Sequence, residues 1–350
     1  MVNFHEGLSG FDDLKPSGKS GNAKEGMSLS SSSREKPEEG LGRPGSDMAR
    51  ADSFYSNMRE FVMETFTRVG EGRSGELKGE QILGWSEEFL SVLDGSISMD
   101  DMVRLVFQHD EYRENYLYTH SVNVCLLTVK LSKALNFSKD VLFQMVIASL
   151  FHDIGMMKIP EEVWNTEERL SHENTERIHD HGPLGKEIFD GLSGIDEVVG
   201  VIIGQHHERI DGTGYPEHLT KNEIHYGARL LALVDRYEAQ THTRLWKPRY
   251  LPDKAIQLIL DNESRTFDSH YIKALLKHIS IFPIGTLVRI SSGEVGRVIK
   301  TNEATPMRPV INVIYDREGR RREQARTVDL SKQLLIHAEH CVDKNDLEDM

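Results

Sequence analysis

Cysteine is nearly absent from this chain: Cys125 and Cys341 are the only two among 350 residues. Thiols this far apart, behind an N-terminus without a secretory pattern, read as free thiols of a reducing compartment rather than as a disulfide framework. The opening residues MVNFHEGLSGFDDLK lack both a basic n-region and an apolar h-region. No apolar run looks long enough to span a bilayer, which takes about 20 residues. The expectation is a cytoplasmic protein with no membrane segment. Positive charge is also scarce, with 42 Lys and Arg against 56 Asp and Glu for a formal net charge of −14. That balance argues against binding a nucleic-acid polymer, which relies on basic side chains to neutralise phosphates. A small phosphate ligand in a local basic or metal-lined pocket remains compatible with it.

The apolar content of 38% is modest, but it suffices for a core once a polar N-terminus is set aside. Residues 1–49, with SLSSSS at 28–33, carry too few large apolar side chains to offset ordering entropy and read as a disordered tail. Residues 50–109 read as an N-terminal helical region. Phe54, Met58, Phe61, Val62 and Phe66 recur at helical spacing, as do Ile82, Trp85, Phe89 and Val92. A third helix opens near 96, with Ser98 as its N-cap. These helices show no chemistry of their own and suit packing or dimerisation. Residues 110–280 form the main body, with helical apolar periodicity over 119–135, 139–152, 183–192, 195–206, 225–243, 252–261 and 268–279. Strand-like alternation is almost missing there.

From 281 to 338 the pattern changes to β-branched alternating runs, TLVRIS, GRVIKT, VINVIYD and ARTVDL, separated by turn residues. The expected fold is mainly α, with an all-helical central domain and a small C-terminal β-barrel-like unit or curled sheet. Residues 339–350 read as an acidic, frayed tail. Arg317, Arg320, Arg321, Arg322 and Arg326 gather on one expected hairpin, as a solvated turn or an anionic contact.

Chemistry concentrates in the central body. His206-His207-Glu208-Arg209-Ile210-Asp211-Gly212-Thr213-Gly214-Tyr215-Pro216 sets adjacent histidines before a glycine-rich turn. His120, His152-Asp153, His181 and Asp235 lie in or beside apolar helical stretches. Polar groups in such places need partners, and an ionised Asp235 inside an apolar helix needs a cation or hydrogen bonds. Repetition over five segments points to a metal cluster of imidazole and carboxylate, suited to hydrolysis of a phosphate ester.

On these residues the chain resembles the HD-GYP family, the branch of the HD phosphohydrolases that hydrolyses cyclic di-GMP. The resemblance covers residues 110–280 and is carried by THSVNV at 119–124, HDIG at 152–155, HDHGPLG at 179–185, HHERIDGTGYP at 206–216 and LVDRYEAQT at 233–241. It implies His152, Asp153, His181, His206, His207 and Asp235 as metal ligands, with Asp153 bridging two divalent ions, iron or manganese. His120 matches a further histidine beside the cluster. His152 and Asp153 would be the catalytic pair. Gly214 and Tyr215 would shape the substrate pocket, and their loop is linked in the family to partner recognition. Arg244 and Lys247 match positions that hold substrate phosphates.

The pattern breaks in three places. Met156 stands where the family commonly has the lysine of HDIGK, and Lys158 falls two residues later. Tyr116 replaces a glutamate one turn before His120, which favours two metals over three. Glu238 stands where aspartate is common. The resemblance implies a phosphodiesterase converting cyclic di-GMP to pGpG, and slowly on to GMP. Met156 leaves open a cyclic di-GMP receptor or interaction module with little turnover, and the pocket leaves open another cyclic dinucleotide.

Overall fold

The computed structural model describes residues 44–107, 116–166, 170–243, 249–333 and 335–343. Arg244 and Lys247, and residues 1–43 of the expected tail, lie outside the described residues.

Among the described residues, three α-helices precede the central body: α1 Pro44–Gly70, α2 Gly79–Gly95 and α3 Met99–Val106. Helix α1 starts at Pro44, so residues 44–49 are helical rather than tail; proline suits a first helical turn, where its missing N–H costs nothing. Ser98 caps α3 as expected, accepting from the Asp100 N–H at 3.2 Å. Phe54, Phe61, Trp85 and Phe89 stack between α1 and α2. Phe61 and Phe66 continue onto Phe151, one residue before His152.

The central body comprises α4 Tyr116–Ala134, α5 Lys139–Phe151, α6 Glu161–Trp164, α7 His172–His179, α8 His181–Asp190, α9 Glu197–Gln205, α10 Tyr226–Thr241, α11 Pro252–Asn262 and α12 Ser269–His278. All seven expected helices form. The short α6 and the polar α7 carry no apolar stripe and were not anticipated. Helix α5 packs against α2, α4 and α9 and is therefore apolar on every side. With the following turn it reaches 20 residues, Lys139–Lys158, with the length and composition of a membrane span, contrary to expectation. Most of that stretch is buried inside the fold.

The C-terminal unit is a five-stranded antiparallel sheet: β1 Leu287–Ile290, β2 Val295–Lys300, β3 Val310–Tyr315, β4 Arg321–Asp329 and β5 Ala338–Val342, in the order β4-β3-β2-β1-β5. It is open, not a closed barrel. Residues 321–327 of edge strand β4 are all exposed and offer no apolar row with which to seal onto β5. Strand β5 lies where a frayed tail was expected. Its AEHCV sequence barely alternates, and only pairing with β1 reveals it. Val288, Ile290 and Cys341 join the same apolar core as the helices, and Asp253 of α11 accepts the Cys341 N–H at 3.1 Å. The hairpin arginines are mostly neutralised within the fold: Arg322 and Arg326 meet Glu294, and Arg320 meets Asp316 and Glu318. That favours the solvated-turn reading.

Candidate metal centre

Helix ends aim the histidines. His152 terminates α5 and His206 terminates α9. His181 opens α8, one residue beyond the Asp180 that caps α7. The last carbonyls of a helix lack intrahelical partners, and each ring takes one. Nδ1 of His152 lies 2.8 Å from Ser149 O, Nδ1 of His181 2.6 Å from Ile178 O, and Nδ1 of His206 2.6 Å from Ile203 O. A carbonyl can only accept, so Nδ1 donates in all three and Nε2 keeps its lone pair for the interior. His120, on α4, is held the same way with its Nδ1 against the Glu238 carboxylate. Asp235 and Glu238, three apart on α10, share one helix face.

These side chains converge into two groups, Asp153 with His181, His206 and His207, and His120 with His152 and Asp235. Within each group the candidate ligand atoms all lie within 4.8 Å of one another. Asp153 faces both. Its Oδ1 is 3.3 Å from His181 Nε2 and 3.7 Å from His206 Nε2, while its Oδ2 is 3.5 Å from the Nε2 atoms of both His120 and His152. Asp235 spans likewise, with Oδ1 3.1 Å from His120 Nε2 and Oδ2 3.9 Å from His207 Nδ1. Nε2 atoms also face one another, at 3.2 Å for His181 and His206 and 3.3 Å for His152 and His120. Lone pairs opposed at that range repel unless a cation or proton lies between them.

The electrostatics agree. Burial opposes charge on Asp153 and Asp235, yet the surrounding imidazoles hold both carboxyls well below the usual range. Burial likewise opposes charge on Glu238, but His242 and His120 bring it down to about 2. His152 is pushed down to about 4 by burial, with His206 and His120 adding to the shift. Burial and the neighbouring His206 hold His207 well below its ordinary value. Burial would also lower His120, but Glu238 and Asp235 outweigh it and raise it to about 10; that proton is one a bound cation would displace. The ionised carboxylates and the lowered His152 and His207 match the protonation state that metal binding requires; His181, which burial would lower but Asp153 raises, must like His120 give up a proton to a bound cation. The donor set fits divalent cations.

The loop after His207 is built from its own backbone. A Cβ at Gly214 would lie 2.3 Å from Arg209 N and 2.5 Å from Glu208 Cα, so glycine is required there by the chain crossing itself. Glu208, only 2% exposed, accepts the N–H groups of Glu217 at 2.7 Å and Leu219 at 2.9 Å. Sequence reasoning passed over this residue, although an acid inside a glycine-rich loop is a signal for backbone capture. Glu208→Ala leaves both donors without that acceptor. We expect it to retain its metal and to lose about 2 kcal/mol of stability, read by thermal denaturation with parallel metal analysis. The Tyr215 ring stacks on His179 at 3.7 Å and leans on His207 at 4.7 Å. His179 was quoted in a motif but given no role.

Met156 is buried in the apolar core, and Lys158 is exposed. Lys158 therefore does not replace the missing lysine. Tyr116 stacks on His120 at 5.4 Å.

The HD domain family matches residues 106–271, and the KOW domain associated with HD domain matches residues 287–350. A cyclic di-GMP phosphodiesterase of Pseudomonas aeruginosa is 30% identical over 63% of this chain and 53% of its own length. The cyclic di-GMP phosphodiesterase PdeB of Borreliella burgdorferi is 25% identical over 59% and 55%. A 3'3'-cGAMP-specific phosphodiesterase of Vibrio cholerae is 26% identical over 48% and 36%. The chain thus spans about half the length of the first two relatives. Residues 106–271 thus form an HD domain, with the HD motif and the eleven-residue GYP motif both at the cluster.

Proposed function

We propose that this chain is a metal-dependent phosphodiesterase that hydrolyses cyclic di-GMP to pGpG. The observation that carries the reading is Asp153, whose two oxygens face two separate histidine groups. His181, His206 and His207 with Asp153 would hold one divalent ion. His120, His152 and Asp235 with Asp153 would hold the other. Iron and manganese suit this mixture of nitrogen and oxygen donors. Two such ions would activate water and offset charge on the attacking and leaving oxygens of an in-line displacement. The protein's part is to hold seven ligands at helix ends and on helix faces, with Nδ1 of His152, His181 and His206 fixed by carbonyls. Such outer partners set ring orientation and ligand basicity. Tyr215, against His207, borders the site and would contact the nucleotide, on a loop shaped by Gly214. Arg244 and Lys247 would hold its phosphates.

The test is chromatography of cyclic di-GMP after incubation with anaerobically purified, metal-assayed protein, with 3'3'-cGAMP in a parallel reaction. Formation of pGpG supports the reading. Faster cleavage of 3'3'-cGAMP would move the substrate to another cyclic dinucleotide. Metallated protein that cleaves neither would sink the enzyme.

One observation favours a second reading, a receptor with little turnover: the turn after Asp153 supplies no cation to the site, because Met156 is buried among apolar groups and Lys158 is exposed. If that missing charge limits turnover, Met156→Lys raises kcat on the order of 100-fold, the scale of one preorganised donor. It also lowers the melting temperature, because an ammonium enters an apolar site. An unchanged kcat would show that the pocket does not use a cation there.

A further inference from the structure

The ligand His120 is not held by its own domain alone. Its Nδ1 meets Glu238, which is fully buried. The other carboxylate oxygen of Glu238 accepts from Asn123 Nδ2 at 2.8 Å and lies 3.1 Å from His242 Nδ1. The Asn123 carbonyl oxygen accepts from the Tyr55 hydroxyl at 2.6 Å. Tyr55 sits on α1, well outside the HD match of residues 106–271. Every member of this relay is at most 1% exposed, so water does not compete for its bonds. The donors are fixed: the tyrosine O–H donates to the amide oxygen, and the carboxylate accepts from both the amide N–H and the imidazole N–H, so the amide sets the carboxylate and the carboxylate orients the ring. Helix α1 touches the site from a second side as well, through Phe61 and Phe66 on Phe151 and through the turn carrying Asp153.

We infer that Tyr55 is a positioning residue for the metal centre, acting through Asn123 and Glu238 on His120, and that helix α1 is a working part of that centre. The inference rests on the metal reading above. It assigns the N-terminal helices a role beyond packing. Removing the Tyr55 hydroxyl frees the Asn123 amide to rotate, and Glu238 then loses a donor that sets its plane. The His120 ring loses its fixed tilt toward Asp235 and Asp153. The group of His181, His206 and His207 has its own carbonyl supports and is left untouched.

The experiment is Mn²⁺ titration of the full chain, metal-stripped, read as free Mn²⁺ by electron paramagnetic resonance, for wild type, Tyr55→Phe, Glu238→Gln and the double variant. We expect two equivalents for wild type. In Tyr55→Phe one equivalent binds as in wild type and the other about 10-fold more weakly, the scale of losing an outer partner of a ligand. Glu238→Gln weakens the same equivalent further, and the double variant matches Glu238→Gln alone, because Tyr55 acts through that carboxylate. A merely structural tyrosine would not give a one-site loss that vanishes in the second background. Should Tyr55→Phe fail to fold, the near-isosteric Asn123→Leu breaks the relay at its next link and gives the same one-site loss. Wild type that takes up two equivalents, with Tyr55→Phe titrating identically, overturns this inference alone. Independent weakening that multiplies in the double variant also overturns it. Wild type that takes up no Mn²⁺ overturns the two-ion reading and this inference with it.

Discussion

On the proposed function, we expect Asp153→Asn to remove nearly all hydrolysis of cyclic di-GMP and to strip metal from both histidine groups. The substitution preserves volume and changes only what the two terminal atoms can do. In the native chain both are acceptors and together carry one negative charge, Oδ1 toward His181 and His206 and Oδ2 toward His120 and His152. Asparagine keeps one acceptor and turns the other into a donor. Whichever way the amide lies, one group loses its anionic oxygen and faces N–H bonds instead. The net charge lost is shared by two sites, so neither retains its native affinity. We expect turnover to fall on the order of 1,000-fold or more, equivalent to about 4 kcal/mol of barrier, and fewer than one metal per chain by mass spectrometry. The apo-protein melts below apo wild type, since the imidazoles that hold Asp153 ionised lose their anionic partner. Native turnover with two bound ions would show that Asp153 is not shared. Asp235→Asn serves as a comparison. Its Oδ1 lies 3.1 Å from His120, whereas its Oδ2 is 3.9 Å from His207, so its main loss falls on the His120 group.

Much of this site was legible in the sequence, for a physical reason. Polar residues in or beside apolar helices stand out because burial makes unpartnered polar groups costly, as at His152, Asp153 and Asp235, whereas His206 and His207 stood out as adjacent histidines before a glycine-rich turn. The structure brings all seven candidate ligands together. The sequence could not show how they are held. The three carbonyls that orient His152, His181 and His206 are backbone atoms with no residue signature. Tyr55 and Asn123 read as ordinary members of helices, and only the packing of α1 on α4 and of α4 on α10 joins them to Glu238. In the fold, helices with continuous apolar periodicity were readable. Helix α7 was not, because none of its residues is buried, and β5 was not, because it exists only through pairing with β1.

Gly155→Ala has the second large effect, and it separates the role of a motif glycine from the role of the ligands beside it. A Cβ at this position would stand 1.9 Å from the His181 carbonyl oxygen and 2.7 Å from Gly185 N. Both are backbone atoms of α8 and cannot rotate aside. Helix α8 cannot retreat freely either, because a Cβ at Gly185 would already lie 2.8 Å from Ile203 of α9. The turn Ile154–Lys158 must therefore back away from α8 by roughly 1 Å, against an interior that tolerates little void or overlap. Asp153 leads into that turn, and its Oδ1 lies 3.3 Å from His181 Nε2. One methyl group thus pries apart two residues that would share an ion, without altering either. We expect a stability loss of about 3 kcal/mol or more, read by urea denaturation, together with loss of metal and of turnover. Gly84→Ala in α2 is the control. Nothing lies within 4 Å of its Cβ, and alanine favours a helix interior by about 0.5–1 kcal/mol, so that variant should be as stable as wild type or more so. If Gly155→Ala also matched wild type in stability and metal content, the close approach of the HDIG turn to α8 would be wrong. The bridging place of Asp153, which depends on that approach, would then fall with it.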